Sequence, residues 1–142
     1  MHTNGLPITC RVFCNEKQKA SPSYSAAVQS VIGFKKEDIL ANIFSNIPSE
    51  LPNEIFEDII LTDKLRVERI ISNGHTSPDN GWYDQSENEW VMVLSGYGVI
   101  EYVNGDKFTL KQGDYLHIKA NEKHRVIETS ANETTVWLAI FY

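Results

Sequence analysis

From Ile55 onward the apolar residues recur with a period of two, in short runs separated by turn-forming residues. A two-residue period is that of a strand with one buried face, so this part of the chain is expected to be β structure. Ile55–Leu61 and 65–71 are rich in Ile and Val, with Thr62, Asp63 and Lys64 as the turn between them. Further strands are expected over 89–94, 97–103, 107–110, 114–118, 124–128 and 134–141. Asn104 and Gly105 lie between two of them and predict a hairpin with a type I′ turn, which needs positive φ at both central positions. Eight short strands with turns every eight to twelve residues and almost no helix between them predict an all-β sandwich or barrel.

The first third has a different pattern. Residues 1–21 are polar and carry no period, which suits a loose arm. Ser21 and Pro22 resemble a helix start, followed by Ala26, Ala27, Val28, Val31 and Ile32 before Gly33 stops it. A second helical stretch is expected over 35–45, because Ile39, Leu40, Ile43 and Phe44 form one stripe and Pro48 ends it. The expected organisation is an extension over 1–47, helical within 22–45, and a β domain over 48–142. The 142 residues suit one domain.

Thirteen Lys and Arg against nineteen Asp and Glu leave a formal charge of −6, with no basic run to match a phosphate backbone or an anionic lipid surface. Neither nucleic acid nor membrane is the expected partner. The longest apolar run, from Val136 to Tyr142, is far short of the roughly 20 residues of a membrane-spanning helix, and the first residues lack the pattern of a secretory signal. A soluble, cytoplasmic protein is expected. Cys10 and Cys14 stand close together with no further cysteine, so a disulfide would close a trivial loop, and free thiols are the preferred reading.

The chemistry is concentrated between Gly74 and Glu128. Glu89 opens a strand in phase with Val91 and Val93, which directs a carboxylate toward an apolar interior. A lone buried carboxylate costs several kcal/mol, so it must be paired, protonated or bound to a cation. Counting back by four and by six gives Gln85 and Tyr83, which share its parity and are expected in the same cavity. His124 begins a later strand after a polar loop, with Val126 and Glu128 expected on its side. His117 alternates with Leu116 and Ile118 and is expected to face solvent or a subunit contact.

These residues resemble a known family. The stretch from Gln85 to Glu89, followed after six residues by Gly96, looks like the second half of the first cupin motif, G(X)5HXH(X)3–4E(X)6G. Gly113, then Lys119, Ala120, Asn121 and His124, looks like the second motif, G(X)5PXG(X)2H(X)3N. Gly74, His75 and Pro78 with Trp82 to Gln85 and Glu89 to Val91 look like a subgroup of small single-domain cupins. The resemblance implies a double-stranded β-helix, or jelly-roll, barrel with a divalent transition metal (Fe, Mn, Ni or Zn) in its mouth. Such metals are typically held by two histidines and a glutamate from the first motif and a histidine from the second.

Carried over by position, Glu89 and His124 fall on ligand positions, whereas the H-x-H pair is replaced. On the three-residue spacing its positions are Tyr83 and Gln85, and on the four-residue spacing Trp82 and Asp84. The first is preferred, since Gln85 is in phase with Glu89, although Asp84 is the better ligand for a hard cation. His75 is the expected supplement if its loop folds over the mouth. Lys119 and Asn121 replace the Pro and Gly of the second motif, and Asn tolerates the left-handed conformation better than most residues.

The expected function is binding of a divalent metal and a small molecule in the barrel mouth. An enzyme of the dioxygenase or isomerase kind would use His124, Glu89, Gln85 and His75 on the metal and Tyr83 as acid or hydrogen-bond donor. The alternative is a non-catalytic binding or sensing module with a degenerate or absent metal site, which the loss of H-x-H supports. Each residue also has a plainer reading: Glu89 and His124 as a structural ion pair, Gln85 on a loop carbonyl, His75 as a turn anchor. A third possibility is a metal-free barrel that only self-associates, with the apolar C-terminal strand in the interface. Small cupins resemble one another in forming dimers, so a homodimer is expected.

Overall fold

Alternation of apolar and polar residues yields eight strands in the computed structural model, which describes residues 40–142. They are β1 (Ile55–Leu61), β2 (Arg66–Ser72), β3 (Glu89–Ser95), β4 (Tyr97–Tyr102), β5 (Lys107–Lys111), β6 (Tyr115–Ile118), β7 (His124–Thr129) and β8 (Thr135–Phe141). All pairings are antiparallel. One sheet has five strands in the order β1-β2-β8-β3-β6, and the other has three in the order β5-β4-β7. The fold is all-β, in keeping with a jelly-roll barrel.

The register sets which side chains share the interior. Directly paired residues point to one face, so the five-stranded sheet presents inner rows. Arg66, Phe141, Glu89 and Ile118 form one row, Glu68, Ala139, Val91 and Leu116 the next, and Ile70, Trp137 and Val93 a third. The apolar members of these rows pack on Ile100 and Leu110 of the smaller sheet to form the core. Trp137 packs flat enough on Gly98 that a Cβ there would overlap its six-membered ring. Charged residues of β2 and β3 thus reach the interior at one end of the core, and this places the site.

Several expectations are corrected by local geometry. The turn after β4 is a three-residue loop in which only Gly105 has positive φ, at 91°. Gly105 N–H donates to the Tyr102 carbonyl and Tyr102 N–H to Asp106, the arrangement of a turn followed by a G1 bulge and not of a type I′ turn. In β7 the register shifts by one between the Val99 and Ile100 partners. That bulge turns Glu128 away from the face of His124, to an exposed position where it accepts from the Tyr97 hydroxyl at 2.7 Å. β8 lies between β2 and β3, and its Val136, Trp137, Ala139 and Phe141 are buried.

The arm over 1–21, the helix expected from Ser21 to Gly33 and the first half of the second helix lie outside the described residues. Residues 40–45 are described and are not helical. Asn42 Oδ1 accepts from Phe44 N–H at 2.8 Å and Ser45 Oγ donates to the Asn42 carbonyl, which competes with helical pairing. Among the described residues no helix is long and apolar enough to cross a membrane.

Candidate functional site

The loop from β2 to β3 closes the open side of the barrel by running along β7. Gly74 N–H donates to Ser130, Ser77 to Val126 and Tyr83 to His124, all to backbone oxygens. Asn121 N–H in turn holds the Gln85 carbonyl at 2.7 Å, and Asn121 itself has φ of 63°, so the left-handed turn of the second motif survives with Asn in place of Gly. Beneath this loop is a cavity of about 470 Å³. Tyr83, Gln85, Glu89, His124 and His75 all line it, as parity predicts for the first three.

Glu89 and His124 are buried, at 8% and 3% exposure. His124 Nε2 faces Glu89 Oε2 at 3.4 Å, and Gln85 Nε2 donates to the same oxygen at 2.8 Å. His124 Nδ1 lies 2.9 Å from the Glu122 carbonyl. A carbonyl only accepts, so Nδ1 carries a proton and Nε2 is the atom left for the site. Burial pulls the imidazole pKa down, but the hydrogen bond to Glu89, its charge and the Glu122 carbonyl outweigh this and raise it. The Tyr83 and Tyr102 rings flank the imidazole, with centroids at 5.5 and 6.2 Å. Burial, with Glu122 and Glu89 nearby, pushes the Tyr102 phenol up to about 12.

The other candidates separate by position. Asp84 forms a surface ion pair with Lys123 at 3.2 Å, so the spacing that uses Gln85 is the one that reaches the cavity. His75 lines the cavity from the side of Glu54. Its Nδ1 accepts from Asn73 N–H at 2.9 Å. His117 is exposed, stacked on Tyr142 with Nε2 3.2 Å from the phenol oxygen.

Sequence reading missed four charged groups of the cavity wall: Arg66, Glu68, Glu54 and Asp79. In β2 the register turns Arg66, Glu68 and Ile70 toward the cavity, while Ile71 on the opposite face is also buried. Glu54 accepts from Ser72 Oγ at 2.5 Å, and that hydroxyl accepts from Trp137 Nε1 at 3.2 Å. Burial raises the Glu54 pKa, while the Ser72 hydrogen bond and the charge of His75 work against it.

The donor chemistry fits a borderline divalent cation on two counts. Ligand atoms bound at about 2.1 Å to one ion stand roughly 3 to 3.4 Å apart, and Nε2 and Oε2 stand 3.4 Å apart. The Nδ1–H to carbonyl bond fixes the tautomer that ligation through Nε2 requires. The set is also sparse. Among the described residues no group of three or more His, Cys, Asp and Glu side chains is placed to hold a metal, and Gln85 offers a neutral third donor.

Comparison with known proteins bears on the barrel as a whole. The family model of the cupin domain matches residues 70–141. A protein of Ralstonia eutropha JMP134, provisionally named a mannose-6-phosphate isomerase, is 43% identical over 72% of this chain and 95% of its own, with a TM-score of 0.69. A cupin superfamily protein of Desulfitobacterium hafniense DCB-2 shares the fold with a TM-score of 0.57 at 16% identity, over 67% of this chain and 82% of its own. Iron(II) HppE in complex with its substrate does so at 0.53 and 14%, over 62% and 53%. No protein of curated function matches the sequence. The family match over half of the chain, together with a 43% identical relative spanned almost end to end, shows that this chain belongs to the cupin superfamily.

Proposed function

We propose that the cavity binds a small molecule beside a divalent transition metal, Fe, Mn, Ni or Zn, held by His124, Glu89 and Gln85. One observation carries the reading. With Nδ1 committed to the Glu122 carbonyl, the Nε2 lone pair of a neutral ring would face a carboxylate oxygen at 3.4 Å. Two lone pairs repel at that distance in a low-dielectric interior, so the pair calls for positive charge between them, a proton or a metal. When bound, such an ion supplies Lewis acidity or a centre for oxygen activation. The chain's own residues orient and shield it. Gln85 fixes one Glu89 oxygen, Glu122 fixes the imidazole, and Tyr83 offers a phenol at the mouth. Trp82, Trp137 and Phe141 supply aromatic wall to the cavity.

A second reading, a metal-free binding module, is favoured by the sparse donor set. Metal analysis of protein purified without chelator separates the two. Near one equivalent is expected, retained in His117→Ala and lost in His124→Ala and Glu89→Gln. Less than about a tenth of an equivalent, unchanged by His124→Ala, overturns the metal reading and leaves the binding module.

A further inference from the structure

The described part of the chain contains three arginines shielded from solvent, and they are not alike. Arg69 donates from Nε to Glu57 and from Nη1 to the carbonyls of Ile43 and Ser45 at 2.6 and 2.8 Å. Arg125 donates from Nε to Glu101 at 2.7 Å and from Nη1 to the Asp79 carbonyl. Both are tied into the framework. Arg66 is 12% exposed along its side chain and lies on the cavity wall, yet among the described residues its guanidinium has ion-pair partners and no hydrogen bond. Nε stands 3.3 Å from Glu68 and one Nη nitrogen 3.6 Å from Glu87, within ion-pair range but outside hydrogen-bond geometry. Nε is buried without a hydrogen-bond partner.

A guanidinium carries five N–H donors in a planar fork, and donors left unmade in a buried place are costly. Phe141 covers one face of the fork, with the guanidinium carbon 3.9 Å from the ring centroid. The donors lie along the edge, and Nε among them has no hydrogen-bond partner. Position adds direction. Arg66 pairs with Phe141 across β2 and β8, and Phe141 with Glu89 across β8 and β3, so Arg66 and Glu89 stand on one row two strands apart. Two strand spacings are roughly 10 Å of backbone, a span that a small molecule can bridge.

We infer that Arg66 anchors an oxyanion of the cavity's ligand. The ligand is a small molecule with a carboxylate or phosphate at one end and a group that reaches His124 and Glu89 at the other. This rests on the reading that the cavity binds a small molecule. Charge agrees with it in the metal-bound form. Arg66 and a divalent ion against Glu68 and Glu89 leave one positive charge for the ligand to neutralise, with Glu87 at the solvent-exposed rim. Of the remaining wall carboxyls, Glu54 is bonded to Ser72 and its burial favours the neutral form, and Asp79 is exposed to solvent. Planar, bidentate recognition of carboxylate or phosphate is what Arg does better than Lys.

Isothermal titration of the metal-loaded full-length chain with malonate, inorganic phosphate and the neutral malonamide tests the assignment. Malonate or phosphate is expected to bind and malonamide to bind weakly, and whichever anion is tighter distinguishes a carboxylate ligand from a phosphate ester. Arg66→Gln should weaken the anion roughly 10- to 100-fold. Arg66→Lys, which keeps the charge without the fork, should fall between and serves also if Arg66→Gln fails to fold. Lys64→Gln, which removes an exposed charge, should change nothing. Malonamide binding as tightly as malonate overturns the inference, as does a folded Arg66→Gln with wild-type affinity or loss of binding in His124→Ala alone, which marks simple chelation. Metal retained without anion binding sinks this inference and leaves the proposed function standing. Anion binding through Arg66 without metal does the reverse to the metal assignment.

Discussion

Glu89→Gln keeps the shape of the site and removes one negative charge, so it isolates what the carboxylate does to His124. In metal-free protein the imidazole is under opposed influences, burial lowering its pKa and Glu89 raising it, with the Glu122 carbonyl on the side of Glu89. The net direction is upward. A histidine whose folded pKa lies above its unfolded value stabilises the fold fully below about pH 6.5, and that contribution is lost as pH rises through the folded value. Wild-type stability should therefore fall with rising pH above 6.5, by at most about 1.4 kcal/mol per pH unit for one proton. In Glu89→Gln the main raising influence is gone while burial still lowers the pKa. The folded pKa drops from its wild-type position, and the fall of stability with rising pH flattens. Near pH 5.5 the variant should also be about 3 kcal/mol less stable, the lower end of the cost of breaking a buried pair, because Gln retains part of the hydrogen bonding. Near pH 9, with His124 neutral in both, the gap should shrink. Urea unfolding followed by tryptophan fluorescence from pH 5.5 to 9, with chelator present, measures this. Other titrating groups are common to both proteins and cancel in the difference. Parallel curves for wild type and variant would refute the reasoning.

Three further substitutions test the framework that holds the site. Gly98→Ala drives a Cβ into the Trp137 ring and should cost about 3 kcal/mol by urea unfolding, the upper range for overpacking. Ser72→Ala leaves the buried Trp137 Nε1 without its acceptor and Glu54 without its donor, and should cost about 2 kcal/mol in the same assay. Asn121→Ala should cost about 1 kcal/mol because φ there is 63°, whereas Asn121→Gly should stay within about 0.5 kcal/mol of wild type.

The strands were legible because alternation in a half-buried strand is a direct image of its two faces. Each of the eight expected runs has a counterpart, with ends displaced by at most one residue. Glu89, Gln85 and Tyr83 were legible for the same reason, since parity alone carries all three to the cavity. Parity also favoured Gln85 over Asp84, and the surface ion pair of Asp84 with Lys123 agrees with that choice. Parity failed where an extra residue enters a strand, as at the β7 bulge that turns Glu128 outward. In β2 both faces carry buried residues, Glu68 on one and Ile71 on the other, so apolarity does not mark the face of Arg66 and Glu68. The stretch over 40–45 had a helical stripe, but the Asn42 side chain competes locally for the backbone, an effect that periodicity does not register.

The central claim is that His124 Nε2 faces Glu89 across a place that takes a proton or a metal. Long-range proton–nitrogen correlation of histidine-labelled protein observes that atom directly, with His124→Ala to assign the signal. The account predicts a His124 ring protonated on Nδ1, protonated on both nitrogens at low pH, whose Nε2 resonance alone moves to a metal-bound position when zinc is added to one equivalent. A neutral ring carrying its proton on Nε2, with a resonance that excess zinc does not move, would contradict it.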